Sequence, residues 1–224
     1  ACEPPVGFEA DLIRDEIVKV LRTIRGFDLD YIKQNVVLGQ YGRGTVNGVE
    51  VNGYREEKDV SPKSITPTYF ASKIFIDNWR WAQVPFYIRT GKRLTKRVTE
   101  IYVQFKQPPL KLFGRTCDPI EPNALIITIQ PDENILLQMN VKYPGIGNHP
   151  FTVNMDFNYE KTFGIKSIPA YSRLIMDCIK GDLTLFARQD AIEAMWAFVD
   201  PINRWWENKN HKLSDFPNYD AGTW

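Results

Sequence analysis

The 224-residue chain is poor in cysteine and histidine. Its three cysteines, Cys2, Cys117 and Cys178, are widely spaced, without a CxxC pair or a neighbouring pair of histidines. This pattern favours reduced thiols over a disulfide framework or a zinc site. The two histidines, His149 and His211, lie in polar stretches with no orienting carboxylate or nucleophile in the motif around them. Neither is therefore a strong candidate for a catalytic base.

Other absences narrow the class of protein. No apolar run approaches the ~20 residues that a membrane-spanning helix needs, and residues 1–9 lack the basic and apolar regions of a signal peptide. Lys plus Arg number 28 against 27 Asp plus Glu, so nucleic-acid binding is not expected. Neither GxGxxG nor GxxxxGK[ST] occurs, which argues against a Gly-rich nucleotide turn. We expect a cytoplasmic protein without a membrane or nucleic-acid partner.

What the chain does contain is enough apolar residues, 43%, to build a core. Apolar residues at helical spacing predict a helix over residues 11–25, ended by Gly26. Two more helices are predicted near the end of the chain. One runs from a Ser167 cap to Gly181, and the other opens with Asp190 and a glutamate three residues later, in the spacing of a capping box.

The middle of the chain is predicted to be mostly β-structure. Apolar or alternating runs predict strands at 35–41, 86–89, 98–105, 124–130, 135–141 and 151–157, the last half-buried. Residues 66–81 are ambiguous, because Thr66-Pro67 could open a helix, but their β-branched and aromatic content favours a strand that ends in a helical turn at 78–81. The Gly- and Asn-rich stretch 42–54 is predicted to be a surface loop, long enough to suspect a partner or substrate.

This order of elements predicts an α+β fold, with a large, mainly antiparallel sheet and helices packed on one face. No internal repeat or low-complexity linker divides the chain. Residues 11–224 are therefore expected to form one domain. Residues 1–10, which lack an initiator Met, are expected to be a connection severed from a preceding domain.

The strongest local candidate for chemistry is the basic stretch RTGKRLTKR at 89–97, with five cations between two predicted strands. Lysine supplies a mobile charge, arginine a planar pair of donors, and glycine lets backbone N–H groups approach, so this turn could bind a phosphate. The local pattern alone nevertheless favours a solvated basic turn. Asp77, near Trp79 and Trp81, could orient a base, although a structural hydrogen bond is favoured. Gln130 either points into a site or completes a sheet ladder.

Several motifs, taken in order, resemble the glucose-6-phosphate dehydrogenase family over essentially the whole chain. They are EPPV at 3–6, IRDEIVKVLRTIR at 13–25, VVLGQYG at 36–42, GYREEKDV at 53–60, IDNWRWAQVPFYIRTGKRLTKR at 76–97, FNY at 157–159, AYSRLIMDCIKGD at 170–182, LFARQDAIEAMWAFVDPI at 185–202 and YDAGTW at 219–224. One such motif would be weak, but their shared order and spacing make the resemblance specific.

The resemblance implies an enzyme that oxidises glucose 6-phosphate to 6-phosphogluconolactone and reduces NADP, in the pentose phosphate pathway. It also implies an upstream Rossmann domain, which binds most of the NADP, and a RIDHYLGK motif with the catalytic histidine. Neither is in this sequence. The resemblance therefore assigns no catalytic residue to this chain, which is expected to be inactive alone.

What the resemblance does assign is one side of the substrate site. Lys92, in RTGK, matches the family's substrate-binding lysine, Arg97 a nearby basic position, and Gln130, in IQPDE, a position close to the substrate. The basic residues that hold a structural NADP in some members are replaced here by Val98 and Tyr102, so that second site is expected to be absent. The large sheet is the family's dimer surface, which implies a homodimer.

A different class of function stays open, namely a free-standing, non-catalytic module for sugar-phosphate binding or dimerisation. The start of the chain discriminates between the two readings. Residues 1–6 have no initiator Met, and the family motif continues upstream of EPPV, so a truncated enzyme is the simpler expectation.

Overall fold

The computed structural model describes residues 1–107, 121–146, 149–165, 168–209 and 212–223. They fall into two compact units. The first unit comprises residues 1–96 and 171–224, and the second unit comprises residues 97–170.

The described residues contain five α-helices and eleven strands. The helices are α1 (Ala10–Leu21), α2 (Leu29–Asn35), α3 (Tyr159–Phe163), α4 (Ala170–Lys180) and α5 (Gln189–Asn208). The strands are β1 (Val36–Gly39), β2 (Tyr41–Gly42), β3 (Gly44–Val46), β4 (Val49–Val51), β5 (Tyr69–Phe75), β6 (Pro85–Gly91), β7 (Thr99–Gln104), β8 (Ala124–Gln130), β9 (Asn134–Lys142), β10 (Pro150–Asn158) and β11 (Tyr219–Asp220). None of these helices combines the length and apolar composition needed to cross a membrane.

The core of the first unit lies on an antiparallel sheet of order β1–β5–β6. Side chains from this sheet and from the helices beside it pack into one buried cluster, which consists of Phe27, Ile32, Val36, Ile74 and Ile202. Val36 and Ile74 lie on the same side of the sheet, since Val36 is opposite Ser72. Ile32 of α2 and Ile202 of α5 pack with them in the cluster. The predicted α+β class, with antiparallel strands and helices on a sheet face, is confirmed.

Helix α1 is shorter than its apolar periodicity predicted. It ends at Leu21 rather than near residue 25, because the following residues pair with the end of β5 instead. Ile24 forms a β-bridge with Ile76, and the Arg25 N–H donates to the Phe75 carbonyl at 2.9 Å. A long-range strand contact therefore overrides the local helical pattern.

The predicted loop over residues 42–54 is wrong in part, because it contains a β-hairpin. β3 and β4 pair antiparallel, with Val46 opposite Val49. The turn between them is Asn47-Gly48, and both residues have positive φ, 52° and 80°. This is the conformation that a two-residue hairpin turn requires, and Asn-Gly is the usual sequence for it.

One detail of the terminal helices differs from expectation. Asp190 does not cap α5, because the helix begins at Gln189 with Arg188 as the N-cap residue. The Asp190 carboxylate instead accepts two hydrogen bonds from the Arg188 guanidinium, at 2.8 and 2.9 Å. α4 ends before Gly181 as predicted, while its predicted cap, Ser167, lies outside the described residues.

The second unit contains an antiparallel sheet of order β10–β9–β8–β7, which confirms the four predicted strands. Its register gives it an apolar face on which the paired side chains are all apolar, namely Ile101, Val103, Leu125, Ile127, Ile135, Leu137, Met139, Val141, Phe151, Val153, Met155 and Phe157. Its other, mixed face combines Tyr102, Ile126 and Leu136 with polar residues such as Glu100, Gln138 and Asn154.

The predicted burial of β10 is not seen. Its alternation is present, but Phe151 and Met155 on the apolar face are 54% and 60% exposed. Alternation specifies the side of the sheet on which each residue lies. It does not specify what covers that side.

Candidate functional site

The backbone N–H and carbonyl of Lys92, just after the end of β6, are both hydrogen-bonded. The strand ends at Gly91, so Lys92 is the first residue beyond it. The Lys92 N–H donates to the Thr68 carbonyl at 2.9 Å. Its carbonyl accepts a hydrogen bond from the Tyr219 hydroxyl at 3.0 Å. Both backbone polar groups of Lys92 are thus paired within the first unit.

The Lys92 side chain, in contrast, is exposed. Within the described ranges its ammonium group makes no hydrogen bond and no ion pair. A lysine ammonium carries three donors and a full positive charge. Lys92 therefore presents an unpaired cation from a fixed backbone, which is suited to binding an anion from outside the chain.

Arg93, the next residue, is committed to the fold. Its guanidinium Nη2 donates to Glu57 Oε1 at 3.0 Å, and the same oxygen accepts from the Tyr41 hydroxyl at 3.1 Å. The hydrogen bond to Glu57 raises the pKa of Arg93. Arg93 also has φ of 52°, an uncommon conformation for a residue with a side chain. Its carbonyl accepts from the Gly222 N–H at 2.7 Å.

Arg97 and Gln130 both belong to the second unit. Arg97 is exposed and lies two residues before the start of β7. Gln130 ends β8 opposite Thr99, and its Nε2 donates to Thr99 Oγ1 at 3.0 Å. The Gln130 amide is therefore hydrogen-bonded to Thr99, which lies two residues beyond Arg97. The assembly of Arg97 and Gln130 with Lys92 of the first unit stays a prediction.

Asp77 has the structural role that the sequence favoured. Its carboxylate accepts two hydrogen bonds from the Arg25 guanidinium, at 2.6 and 3.0 Å. These bonds lower the pKa of Asp77. Because the pair joins the segment after α1 to the segment after β5, Asp77 is occupied in holding the fold.

The remaining candidates are the histidines and the cysteines. His149 is exposed, and its carbonyl accepts from the Tyr143 N–H at 2.9 Å. His211 and Cys117 lie outside the described residues, while Cys2 and Cys178 are free thiols. A search of the residues that the structure describes finds no group of three metal-binding side chains.

The residues that sequence reasoning missed are those that support Lys92. Thr68 and Tyr219 lie 24 positions before it and 127 positions after it along the chain. Tyr219 falls within the quoted motif at 219–224, but nothing in that motif indicates which backbone atom its hydroxyl contacts. The parallel pairing of β11 with β2 brings Tyr219 to this point.

Comparison with known proteins gives consistent matches over the whole chain. The family model for the glucose-6-phosphate dehydrogenase C-terminal domain matches residues 1–224. The chain is 48% identical over 224 residues to a glucose-6-phosphate 1-dehydrogenase of Aggregatibacter actinomycetemcomitans, covering 100% of the chain and 44% of the relative. It is 43% identical over 223 residues to that of Bacillus subtilis, covering 100% of the chain and 45% of the relative. The chain thus spans less than half the length of these relatives.

Two solved structures share its fold. One is a glucose-6-phosphate dehydrogenase in complex with its substrate glucose 6-phosphate, with a TM-score of 0.83 and 33% identity. The other is a glucose-6-phosphate 1-dehydrogenase from Mycobacterium avium, with a TM-score of 0.75 and 32% identity. The alignments cover 100% of this chain and 44% and 43% of the two solved chains.

Proposed function

Because the chain belongs to the glucose-6-phosphate dehydrogenase family, whose C-terminal domain it matches throughout, we propose that it works within a longer enzyme. That enzyme oxidises glucose 6-phosphate to 6-phosphogluconolactone and reduces NADP, in the cytoplasm and in the pentose phosphate pathway. Residues 11–224 are its substrate-binding and dimerisation domain, and residues 1–10 are the connection from the preceding domain. NADP is bound mainly by that preceding domain, which also supplies the catalytic base.

Within that enzyme, Lys92 binds the sugar phosphate. The observation that carries this proposal is the exposed, unpaired ammonium of Lys92 on a backbone fixed by Thr68 and Tyr219. A phosphate is a strong acceptor for such a donor, and a charge-assisted hydrogen bond is roughly twice as strong as a neutral one. Lys92 would hold the substrate from one side while the preceding domain presents the base and the hydride acceptor.

Arg97 and Gln130 extend the same site in the proposal. An exposed guanidinium at Arg97 provides a planar pair of donors for an anion. The Gln130 amide, which pairs with Thr99 here, would exchange that contact for a sugar hydroxyl. We assign no structural NADP to this chain, since Val98 and Tyr102 carry no positive charge at the positions where the family resemblance requires basic residues.

We also propose that the enzyme is a homodimer and that its subunits meet through the mixed face of the second unit. A subunit interface usually has an apolar centre within a polar rim, whereas a face with no polar side chain is typical of a protein interior. On the mixed face, Tyr102 lies opposite Ile126, and Ile126 lies opposite Leu136. Polar side chains, including Gln138 and Asn154, lie around this apolar row. The composition of the mixed face therefore supports this contact.

The test of the substrate site is Lys92→Ala in the full-length enzyme. We expect the KM for glucose 6-phosphate to rise about 10- to 100-fold, as the loss of a charge-assisted hydrogen bond predicts. The KM for NADP should change less than about twofold, because Lys92 is assigned no contact with the nucleotide. Steady-state kinetics with each substrate varied in turn measures both constants.

Lys63→Ala is the matched control, since it also removes one exposed lysine charge from the first unit. It should leave both KM values unchanged. Equal rises in the two KM values for Lys92→Ala, or an unchanged KM for glucose 6-phosphate, would contradict the assignment of Lys92.

A further inference from the structure

We infer that Tyr219 is a positioning residue for Lys92, with its hydroxyl fixing the backbone from which the substrate-binding ammonium extends. The inference rests on the proposed function of Lys92 and adds a residue that acts through it. Tyr219 lies in β11, far along the chain from the basic stretch, and its hydroxyl contacts Lys92 through the backbone carbonyl.

A directed chain of hydrogen bonds passes through the Tyr219 hydroxyl. The Tyr41 N–H donates to Thr68 Oγ1 at 3.1 Å, and Thr68 Oγ1 lies 2.9 Å from the Tyr219 hydroxyl oxygen. The Tyr219 hydroxyl is 3.0 Å from the Lys92 carbonyl oxygen, which can only accept. The Thr68 carbonyl oxygen is a second, more distant acceptor for the Tyr219 hydroxyl, at 3.4 Å. Since each hydroxyl has a single proton, Tyr219 donates to the Lys92 carbonyl, which is the nearer acceptor, and Thr68 donates to Tyr219. Both hydroxyl protons are then used, and the Lys92 carbonyl is held in place.

The residues that follow Tyr219 hold the rest of the basic turn. The Gly222 N–H donates to the Arg93 carbonyl at 2.7 Å, and Thr95 Oγ1 donates to the Gly222 carbonyl at 2.9 Å. Gly222 has φ of 87°, and a Cβ atom added there would collide with the Thr45 carbonyl of β3. The segment 219–222 therefore has little freedom to move, and it contacts the backbone carbonyls of Lys92 and Arg93 and the side chain of Thr95.

The surroundings of Tyr219 suit a fixed donor. Its ring packs against the rings of Tyr69 and Tyr41, with centroids 5.6 and 6.3 Å away. Burial raises the pKa of the Tyr219 hydroxyl, so the proton needed for donation to Lys92 is retained at neutral pH. The Tyr69 hydroxyl makes no hydrogen bond within the part of the chain that the structure describes.

Fixing this backbone matters because a lysine side chain is long and flexible. The position of its Cα atom determines the volume that the ammonium can reach, and a displacement of about 1 Å can cost a large factor in productive binding. Loss of the Tyr219 hydroxyl would leave the Lys92 side chain intact but would loosen its attachment. The effect should therefore appear in substrate binding and should depend on Lys92 itself.

The test is Tyr219→Phe in the full-length enzyme, with Tyr69→Phe as the matched control. We expect Tyr219→Phe to raise the KM for glucose 6-phosphate about 3- to 10-fold, the range for loss of one hydrogen bond. The kcat and the KM for NADP should stay within about twofold, because the groups assigned to chemistry and to NADP are untouched. Tyr69→Phe removes a hydroxyl from the adjoining ring without breaking a hydrogen bond and should change none of the three constants.

A kinetic cycle with Lys92→Ala distinguishes positioning from a general structural role. If Tyr219 acts through Lys92, Tyr219→Phe should have no further effect on the KM once Lys92 is alanine. An equal rise in both backgrounds, or no rise in the wild-type background, overturns the inference. If Lys92→Ala raises the KM and Tyr219→Phe does not, the function of Lys92 stands and only the inference fails.

If Tyr219→Phe does not fold, Thr95→Val replaces it in the same cycle. Thr95 is exposed, and its hydroxyl donates to the Gly222 carbonyl from the surface. This variant should raise the KM for glucose 6-phosphate only while Lys92 is present. An unchanged KM in wild-type and Lys92→Ala backgrounds overturns the inference in this variant as well.

Discussion

At the residue scale, two adjacent cations have different roles. Arg93 is bound to Glu57 and held by Gly222, whereas the Lys92 ammonium has no partner among the described side chains. The basic stretch predicted an anion-binding turn, but it could not separate Arg93, which stabilises the turn, from Lys92, whose ammonium is available. That separation depends on Glu57, which is 36 positions away from Arg93.

A prediction at this scale concerns the core of the first unit. Ile32 is fully buried, at 0% exposure, between α2 and the three-stranded sheet. Ile32→Ala should lower the free energy of unfolding by about 2–5 kcal/mol through lost apolar contact and the cavity left behind. Ile146→Ala, the same change at a fully exposed residue, should have an effect below about 0.5 kcal/mol. Urea-induced unfolding of the full-length protein measures both, and similar losses would contradict the assigned core.

At the element scale, local signals were sufficient wherever neighbouring residues decide the structure. The strands of the second unit and the end of α4 followed from alternation and from Gly181. The Asn47-Gly48 signal was equally local, but the abundance of glycine and asparagine around it favoured a loop. Where distant segments decide, local signals failed. The end of α1 is determined by the pairing of Ile24 with Ile76, just after β5.

The hairpin turn gives a prediction at the element scale. Gly48 has φ of 80°, and no atom lies within 4 Å of a Cβ added there. Gly48→Ala should therefore cost about 1–2 kcal/mol from backbone conformation alone. Gly26→Ala, at a glycine with equally open surroundings and no positive φ, should be neutral or slightly stabilising.

Thermal unfolding of both glycine variants in the full-length protein compares them directly. Equal melting temperatures would show that the hairpin turn does not need a left-handed residue at position 48. A lower melting temperature for Gly48→Ala alone would support the turn.

At the scale of the whole molecule, the second unit has two chemically different sheet faces. The proposed dimer uses the mixed face, where Leu136 lies in an apolar row with Ile126 and Tyr102. Leu136→Glu should disrupt the dimer, because it places a charge at the centre of the contact and repels its own copy in a symmetric interface. Light scattering of the full-length enzyme at micromolar concentration should then give the monomer mass.

The control for this prediction is Val49→Glu, which adds the same charge to an exposed residue of the hairpin in the first unit. It should leave the dimer intact. A monomeric wild-type enzyme, or a dimeric Leu136→Glu variant, would contradict the proposed interface.

The sequence by itself determined the fold class, most strand positions, the family and Lys92 as a candidate for substrate binding. These follow from periodicity and from motifs, which depend on residues close together in the chain. The tertiary structure was needed to show that Arg93 is paired while Lys92 is not, where α1 ends, and that Tyr219 supports Lys92. Those features depend on hydrogen bonds and strand pairs between distant segments, and the linear order of residues does not specify such contacts.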